Sequence, residues 1–259
     1  MSYKYDLSIC MPAHRSHMWE EMYNSVISSI GEYSWEMILV GPNEPTSFFD
    51  DKKNFRFIKD YGHPARCAQI ATMFAQGEFM MWGSDDGTFQ ENAIKECLDL
   101  RKELKSEDVI CIRYSEGENY SGTLPPDDYW LAWTHPDQRL PGIPKDYVCA
   151  PVGMYRTKFF QWLGGWGCRF EHLNMCCHDL AFRAQRKGGK VVLSPSLVLA
   201  CDWNPGRGDH IPVQNAYHAN DAPLFANLYR TKQDDRIQIP YLNWMNADPV
   251  WKRRFGDKL

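Results

Sequence analysis

The stretch that most restricts how this chain can fold covers residues 77–90. Four apolar residues, Phe79-Met80-Met81-Trp82, break off at Gly83 and meet Ser84, Asp85, Asp86 and Gly87. A short apolar run bounded by turn residues reads as a buried strand. Acids at its carboxyl end stand where an open α/β sheet presents its ligands. Two carboxylates there suit a divalent cation carrying a phosphorylated substrate. Taken alone, Ser-Asp-Asp-Gly is equally compatible with an ordinary turn, because all three residue types favour turns for local reasons. The surrounding pattern decides.

Upstream, residues 7–11 form an apolar run closed by Pro12, which cannot continue a central strand. Pro12-Ala13-His14-Arg15 is the loop at its end. Ser16 stands as an N-cap, Glu20 and Glu21 fall in the first turn, and Trp19, Met22, Tyr23, Val26, Ile27 and Ile30 recur at helical spacing up to Gly31. Residues 35–40, closed by Gly41-Pro42-Asn43, and residues 55–58 read as further strands. Residues 64–76 read as a helix with Ile70, Met73 and Phe74 inward. After the acids, Thr88-Phe89-Gln90-Glu91 has the form of a capping box opening a helix, and residues 108–114 return to strand. This alternation predicts an α/β fold: a mostly parallel, Rossmann-like central sheet flanked by helices.

Residues 115–149 differ. Five prolines (Pro125, Pro126, Pro136, Pro141, Pro144) are interleaved with Tyr120, Tyr129, Trp130, Trp133 and Tyr147. A long irregular segment in a compact domain reads as a binding loop, whose aromatics either stack on a sugar or pack the loop onto the core. Then come a short helix over 157–163 ended by Gly164-Gly165, a polar connection over 171–178, and a helix opened by Asp179 and ended by Gly188-Gly189. Strands follow at 190–193 and 197–201. Beyond that only 223–230 reads as helical. The expected division is 1–114, 115–202 of the same domain, and a C-terminal extension over 203–259 that packs on it.

Composition narrows the function classes. Of 259 residues, 44% are apolar and 24% charged, which is globular usage, and the net charge of -4 offers nucleic acid or anionic lipid no attraction. No apolar run approaches the ~20 residues that span a bilayer, so a cytoplasmic chain is expected. Nine cysteines follow no disulfide framework, and Cys10, Cys111 and Cys201 lie in strand-like runs as small hydrophobes. Cys168, Cys176, Cys177 and His178 contain no Cys-x-x-Cys pair, so buried thiols are expected there, not zinc.

Four segments line up in order: a strand closing on Pro12-Ala13-His14-Arg15, a strand with its loop at Gly41, a helix bearing Ala65-Arg66 ahead of Ala75-Gln76-Gly77-Glu78-Phe79, and the strand ending at Ser84-Asp85-Asp86. This resembles the nucleotide-sugar half of family 2 glycosyltransferases of the GT-A fold. Gly164-Gly165-Trp166, Phe170-Glu171 and His178-Asp179-Leu180 with Arg183 look like that family's acceptor half. The resemblance spans about residues 6–201 and implies transfer of a sugar from a nucleotide-diphosphate donor to a hydroxyl of a glycan or other acceptor, as in polysaccharide biosynthesis. Asp85 would contact the ribose or the metal, and Asp86 would ligate Mn²⁺ or Mg²⁺ on the diphosphate. Pro12, Ala13, His14, Arg15, Gly41 and Ser84 would line the nucleotide site, Arg66 would reach base or phosphate, and Asp179 would be the general base. His210, in a loop whose histidine is also compatible with an ordinary solvated residue, is available as a further metal ligand. Three departures stand out: Ser84 replaces the first Asp of Asp-x-Asp, Gly41-Pro42-Asn43 replaces an Asp-rich loop, and His178 replaces a Glu.

The chemistry agrees with this reading. Breaking an anomeric carbon–phosphate bond builds charge on the diphosphate, which a cation at Asp86, with Arg15 or Arg66, would neutralise. One base for the acceptor hydroxyl and no second carboxylate as nucleophile imply inversion. Asp179 at a helix start would be held ionised by the dipole, so position is its main qualification. Two rivals are a sugar-phosphate nucleotidyltransferase, for which Pro-Ala-His-Arg lacks a glycine-rich phosphate loop, and a non-catalytic carbohydrate-binding protein.

Overall fold

A computed structural model describes residues 3–116, 150–201 and 215–230. Eight strands make one sheet: β1 (Tyr5–Pro12), β2 (Trp35–Gly41), β3 (Phe55–Lys59), β4 (Gly77–Met81), β5 (Gly87–Phe89), β6 (Val109–Glu116), β7 (Gly153–Arg156) and β8 (Val191–Cys201). The helices are α1 (Trp19–Ile30), α2 (Pro64–Met73), α3 (Ala93–Arg101), α4 (Thr157–Trp162), α5 (Leu173–Arg186) and α6 (Ala222–Arg230), the last preceded by a π turn at Tyr217–Asp221. No helix among the described residues is long and apolar enough to cross a membrane.

Strand order is β3-β2-β1-β4-β7-β6-β8-β5. The chain steps outward from β1 to β2 to β3, then returns past β1 to lay down β4, all parallel. Right-handed crossovers in opposite directions put α1 and α2 on opposite faces, and the sense of winding reverses between β1 and β4. At such a reversal the loops leaving the two strands diverge and open a crevice at their carboxyl ends. The core supports this frame: Leu7, Ile9, Cys10, Met11 and Met37 to Val40 are wholly inaccessible to solvent. Each such aliphatic residue contributes roughly 1.5–3 kcal/mol by leaving water.

The sheet is mixed, not mostly parallel. β7 runs antiparallel to both β4 and β6, and β5 antiparallel to β8. Residues 190–193 and 197–201 are one long strand whose pairing with β6 shifts register. Three helix starts also differ from expectation. Ser16 is not a cap, because α1 begins at Trp19 behind Met18, with no side-chain cap. Thr88 is a strand residue, since Gly87–Phe89 pairs with β8, and α3 starts after Asn92 in the left-handed region at φ 59°. α5 opens at Leu173, six residues ahead of Asp179, with the ring of His172 accepting the backbone N–H of Asn174. The expected glycine stops hold: Gly31, Gly164, Gly165 and Gly188 have positive φ.

Candidate active site

The crevice between β1 and β4 is a cleft of about 480 Å³ lined by residues at or near the ends of β1, β2, β4, β6 and β8 and on α2 and α5. Its floor is built from the stretch after β4. Asp85 is 5% exposed and receives four donors from the loop after β1 and the start of α1. The backbone N–H groups of His14 and Arg15 donate to its Oδ2 at 2.5 and 2.6 Å, Arg15 Nη1 donates to Oδ1 at 2.5 Å, and Trp19 Nε1 reaches Oδ2 at 3.5 Å. Asp85 thereby fixes the Pro12–Arg15 turn, which Asn43 Nδ2 braces from β2 by donating to the His14 carbonyl at 2.6 Å. Asp86 is used differently: its Oδ1 accepts the Ser84 hydroxyl, and its Oδ2 faces Arg15 Nη1 at 3.7 Å.

The opposite end is walled mainly by backbone and small side chains: Val40, Gly41, Pro42, Gly62, Pro64 and Cys67. The Ala13 N–H donates to the Val40 carbonyl at 2.9 Å, so the two chains run so close at Gly41 that a Cβ there would lie 1.7 Å from the Ala13 oxygen. Arg66 is not among the lining residues. Its Nε and Nη2 bind the Asp60 carboxylate at 3.0 and 2.8 Å, and its Cδ lies 2.3 Å from where a Cβ of Gly62 would be. It therefore backs the wall instead of forming it.

The third wall comes from Trp82, Tyr114, Pro151, Val152, Leu199 and Cys201, with His172, Leu173, Asn174 and Cys177 from α5. Trp82 Nε1 donates to the Pro151 carbonyl at 3.0 Å, and burial pushes the Cys177 thiol well up, keeping it protonated. Asp221, from the C-terminal segment, holds the approach to this helix: its carboxylate accepts the backbone N–H groups of Glu171 and His172 at 2.9 and 2.7 Å. Burial outweighs those bonds and pushes Asp221 up to about 6.

Of the expected site residues, Pro12, Ala13, His14, Arg15, Gly41, Ser84, Asp85 and Asp86 line one cleft. Asp179 does not. It lies in the middle of α5, is 3% exposed and pairs at 3.0 Å with Arg183, which also donates to the carbonyls of Leu163 and Gly165. A helix that starts at Leu173 turns this carboxylate inward, against Gly167. His210 lies outside the described residues, as does the aromatic loop 117–149, while His218 is exposed and away from the cleft. His172, Asn174 and Cys177 were not anticipated. The apolar spacing of Met175, Cys176 and Leu180 would have placed them on a helix, but His172 lacks the hydroxyl or carboxyl that marks a helix start.

A divalent cation can be tested against these donors. Among the described residues no group of three His, Cys, Asp or Glu side chains converges. Asp85 is saturated by N–H groups, and only Asp86 has a carboxylate oxygen with no closer partner than Arg15 at 3.7 Å. That set fits a cation which takes one protein carboxylate and completes its shell from substrate phosphates and water, the habit of Mg²⁺. It does not fit an all-protein cage.

No family model and no curated protein sequence matches this chain. Solved structures with the same fold do. Staphylococcus aureus TarS, residues 1–349 in complex with UDP, superposes with TM-score 0.58 at 13% identity over 96% of this chain and 78% of that one. The same protein with UDP-GlcNAc gives TM-score 0.58 at 15% identity, over 90% and 70%. The unliganded form gives 0.56 at 15%, over 97% and 74%. At such identities the likeness establishes a shared fold.

Proposed function

We propose that this chain is a glycosyltransferase that takes a sugar from a nucleoside diphosphate donor held in the β1/β4 cleft and passes it to an acceptor hydroxyl with inversion. The observation that carries the reading is the convergence of the Pro12–Arg15 turn, Gly41 and Asp86 at the strand reversal of a fold shared with a protein that binds UDP and UDP-GlcNAc. Residues 1–114 would form the donor half and 115–202 the acceptor half. Residues 203–259 would be an extension, of which Phe225 packs on Phe170 and Phe182 at centroid distances of 6.4 and 5.8 Å.

Charge sets what the donor must bring. Among the described lining residues two carboxylates face one guanidinium, so with neutral histidines the wall carries one net negative charge. A nucleoside diphosphate adds further negative charge, and like charges brought together in a partly buried site repel strongly. The reading therefore includes a divalent cation at Asp86 that accompanies the diphosphate and, when bound, supplies Lewis-acid stabilisation of the leaving group. Arg15, at the floor, completes the neutralisation.

The remaining roles fall to groups on the page. Gly41, Pro42, Gly62 and Pro64 would admit a flat base between chains that no side chain crosses, while Arg66 holds that wall from behind. Tyr114 would offer aromatic surface to the sugar. Because His172 Nδ1 accepts the Asn174 N–H at 2.9 Å, the neutral ring carries its proton on Nε2 and acts as a hydrogen-bond donor. Asp85 and Asp86 are the carboxylates lining the cleft among the described residues, and both would stand on the diphosphate side. That arrangement favours direct displacement over a glycosyl–enzyme intermediate on a wall carboxylate. Asp179 would act as a positioning residue, tying α5 to the Gly164-Gly165 turn.

A donor-hydrolysis screen across UDP- and GDP-sugars with Mn²⁺ tests the assignment. Turnover of one nucleotide sugar, lost in Asp86→Asn, is expected. Sugar binding without nucleotide binding or turnover would favour a carbohydrate-binding protein instead.

A further inference from the structure

A carboxylate that does not line the cleft holds one of its walls. Asp221, at the end of the π turn ahead of α6, is wholly buried. Its Oδ1 accepts the Glu171 N–H at 2.9 Å and Asn220 Nδ2 at 2.7 Å, while its Oδ2 accepts the His172 N–H at 2.7 Å. Asn220 Nδ2 also donates to the Arg169 carbonyl at 3.1 Å. Two neighbouring side chains of the C-terminal segment thus grip the backbone over residues 169–172.

That backbone joins two parts of the cleft. Ahead of it the chain lies along α2: the Trp166 N–H donates to Gln69 Oε1 at 2.8 Å, and the Glu171 carbonyl accepts the Ala65 N–H at 3.4 Å. Behind it, His172 Nδ1 accepts the Asn174 N–H at 2.9 Å and shapes the first turn of α5, which carries His172, Leu173, Asn174 and Cys177 to the wall. The Glu171–His172 peptide is where the chain leaves α2 and enters α5. Two adjacent N–H groups there need two acceptors, and a carboxylate gives one oxygen to each. An amide would set its own N–H groups against the second donor. A neutral side chain would be cheaper to bury, since desolvation outweighs the bonds of Asp221 and raises its pKa to about 6. A desolvated acid beside a cleft points to a functional role.

Resting on the nucleotide-sugar reading of the cleft, we infer that Asp221, braced by Asn220, is the positioning residue of the sugar-facing wall: it holds the Glu171–His172 peptide so that His172 and Asn174 meet the transferred sugar. The other walls have supports of their own. Asp85 fixes the Pro12–Arg15 turn, and the Arg66–Asp60 pair backs the wall at Gly62. Loss of Asp221 is therefore felt by the sugar and not by the nucleotide.

The test uses the full chain, the nucleotide sugar that wild type turns over in a screen of UDP- and GDP-sugars, and the matching nucleoside diphosphate. Calorimetry at saturating Mn²⁺ gives the Kd of the diphosphate, and its stoichiometry counts folded sites, so partial misfolding cannot imitate the effect. Donor hydrolysis gives kcat and KM per folded site. Asp221→Asn is expected to leave the diphosphate Kd within about threefold of wild type while lowering kcat/KM at least about tenfold, the loss of one charge-assisted hydrogen bond. Asn220→Ala, which keeps the carboxylate and removes its brace, is expected to lower kcat/KM by about threefold, again without moving the diphosphate Kd; it decides the matter if Asp221→Asn does not fold. If kcat/KM stays at the wild-type value, or falls only in parallel with diphosphate affinity, the positioning role is overturned and the cleft reading stands. If wild type turns over no nucleotide sugar, the cleft reading falls and the positioning role with it.

Discussion

Asp179 and Arg183 form an ion pair at 3.0 Å one turn apart on α5, with 4% of each side chain exposed. The guanidinium also donates to the Leu163 and Gly165 carbonyls at 2.6 and 2.7 Å, so this one pair ties the helix to the glycine turn after α4. Removing one partner of a buried pair leaves the other charge uncompensated, at about 3–5 kcal/mol. Asp179→Ala is therefore expected to lower stability by that order, read by chemical or thermal unfolding, with activity lost in step with folded protein. A variant as stable as wild type but devoid of turnover would return Asp179 to the chemistry.

Asp85 and Asp86 are adjacent yet should fail differently. Asp85 organises the Pro12–Arg15 turn through four donors, so Asp85→Ala leaves buried N–H groups unpaired at roughly 1–3 kcal/mol each and should destabilise the fold. Asp86→Asn keeps its Ser84 partner and its shape. It should melt like wild type while UDP binding ceases to respond to Mn²⁺. Equal melting temperatures for the two variants would contradict the division of labour.

The cleft glycines offer a steric control. At Gly41 a Cβ would stand 1.7 Å from the Ala13 carbonyl oxygen, backbone against backbone, whereas at Gly83 the nearest atom is 3.4 Å away, in ordinary contact. Gly41→Ala should cost upwards of ~1–3 kcal/mol and abolish nucleotide binding, since relief requires moving the β1 loop. Gly83→Ala should leave stability within about 0.5 kcal/mol of wild type. Calorimetric UDP titration with parallel melts would show whether they separate.

Two buried titratable groups act in opposite directions with pH. Burial lowers His178 to about 3, so the folded protein keeps it neutral while the unfolded chain protonates it near 6.5. Its contribution is intact above pH 6.5 and is lost as pH falls towards 3, by ~5 kcal/mol at most. Burial raises Asp221 to about 6 against an ordinary 3.8, so its contribution is intact below about pH 4 and declines by ~3 kcal/mol at most as pH rises to 6. His178→Leu should flatten the acid side of the stability curve, and Asp221→Asn should remove the fall between pH 4 and 6. Urea unfolding at half-unit pH intervals would reveal both slopes; parallel curves for wild type and either variant would refute that assignment.

The first half of the chain was legible from residue order. Strands at 7–11, 35–40 and 55–58, the helix from Pro64 and the acids at 85 and 86 all lie where apolar periodicity puts them. That half is a run of local βαβ units, in which β1, β2 and β3 pair in succession and the loops at the parallel strand ends share an edge by construction. The glycine stops were equally local, because a positive φ is a property of one residue.

The region after residue 150 was not legible in the same way. Asp179 looks like a helix start because an acid precedes an apolar run, but the helix begins at Leu173 behind His172, and the two N–H groups just ahead of it are held by Asp221, some fifty positions away. Thr88 reads as a cap, yet β8 claims it for a strand. The amino-acid sequence by itself determined the strands, the helices between them and the acids at the end of β4, since side-chain periodicity and turn chemistry act over a few residues. Only the tertiary structure decided that the sheet is mixed, that Asp179 is bound by Arg183, and that Arg15 sits between the two acids. Those outcomes depend on which distant groups share a buried space, where an unpaired charge or N–H costs more than any local preference can offset.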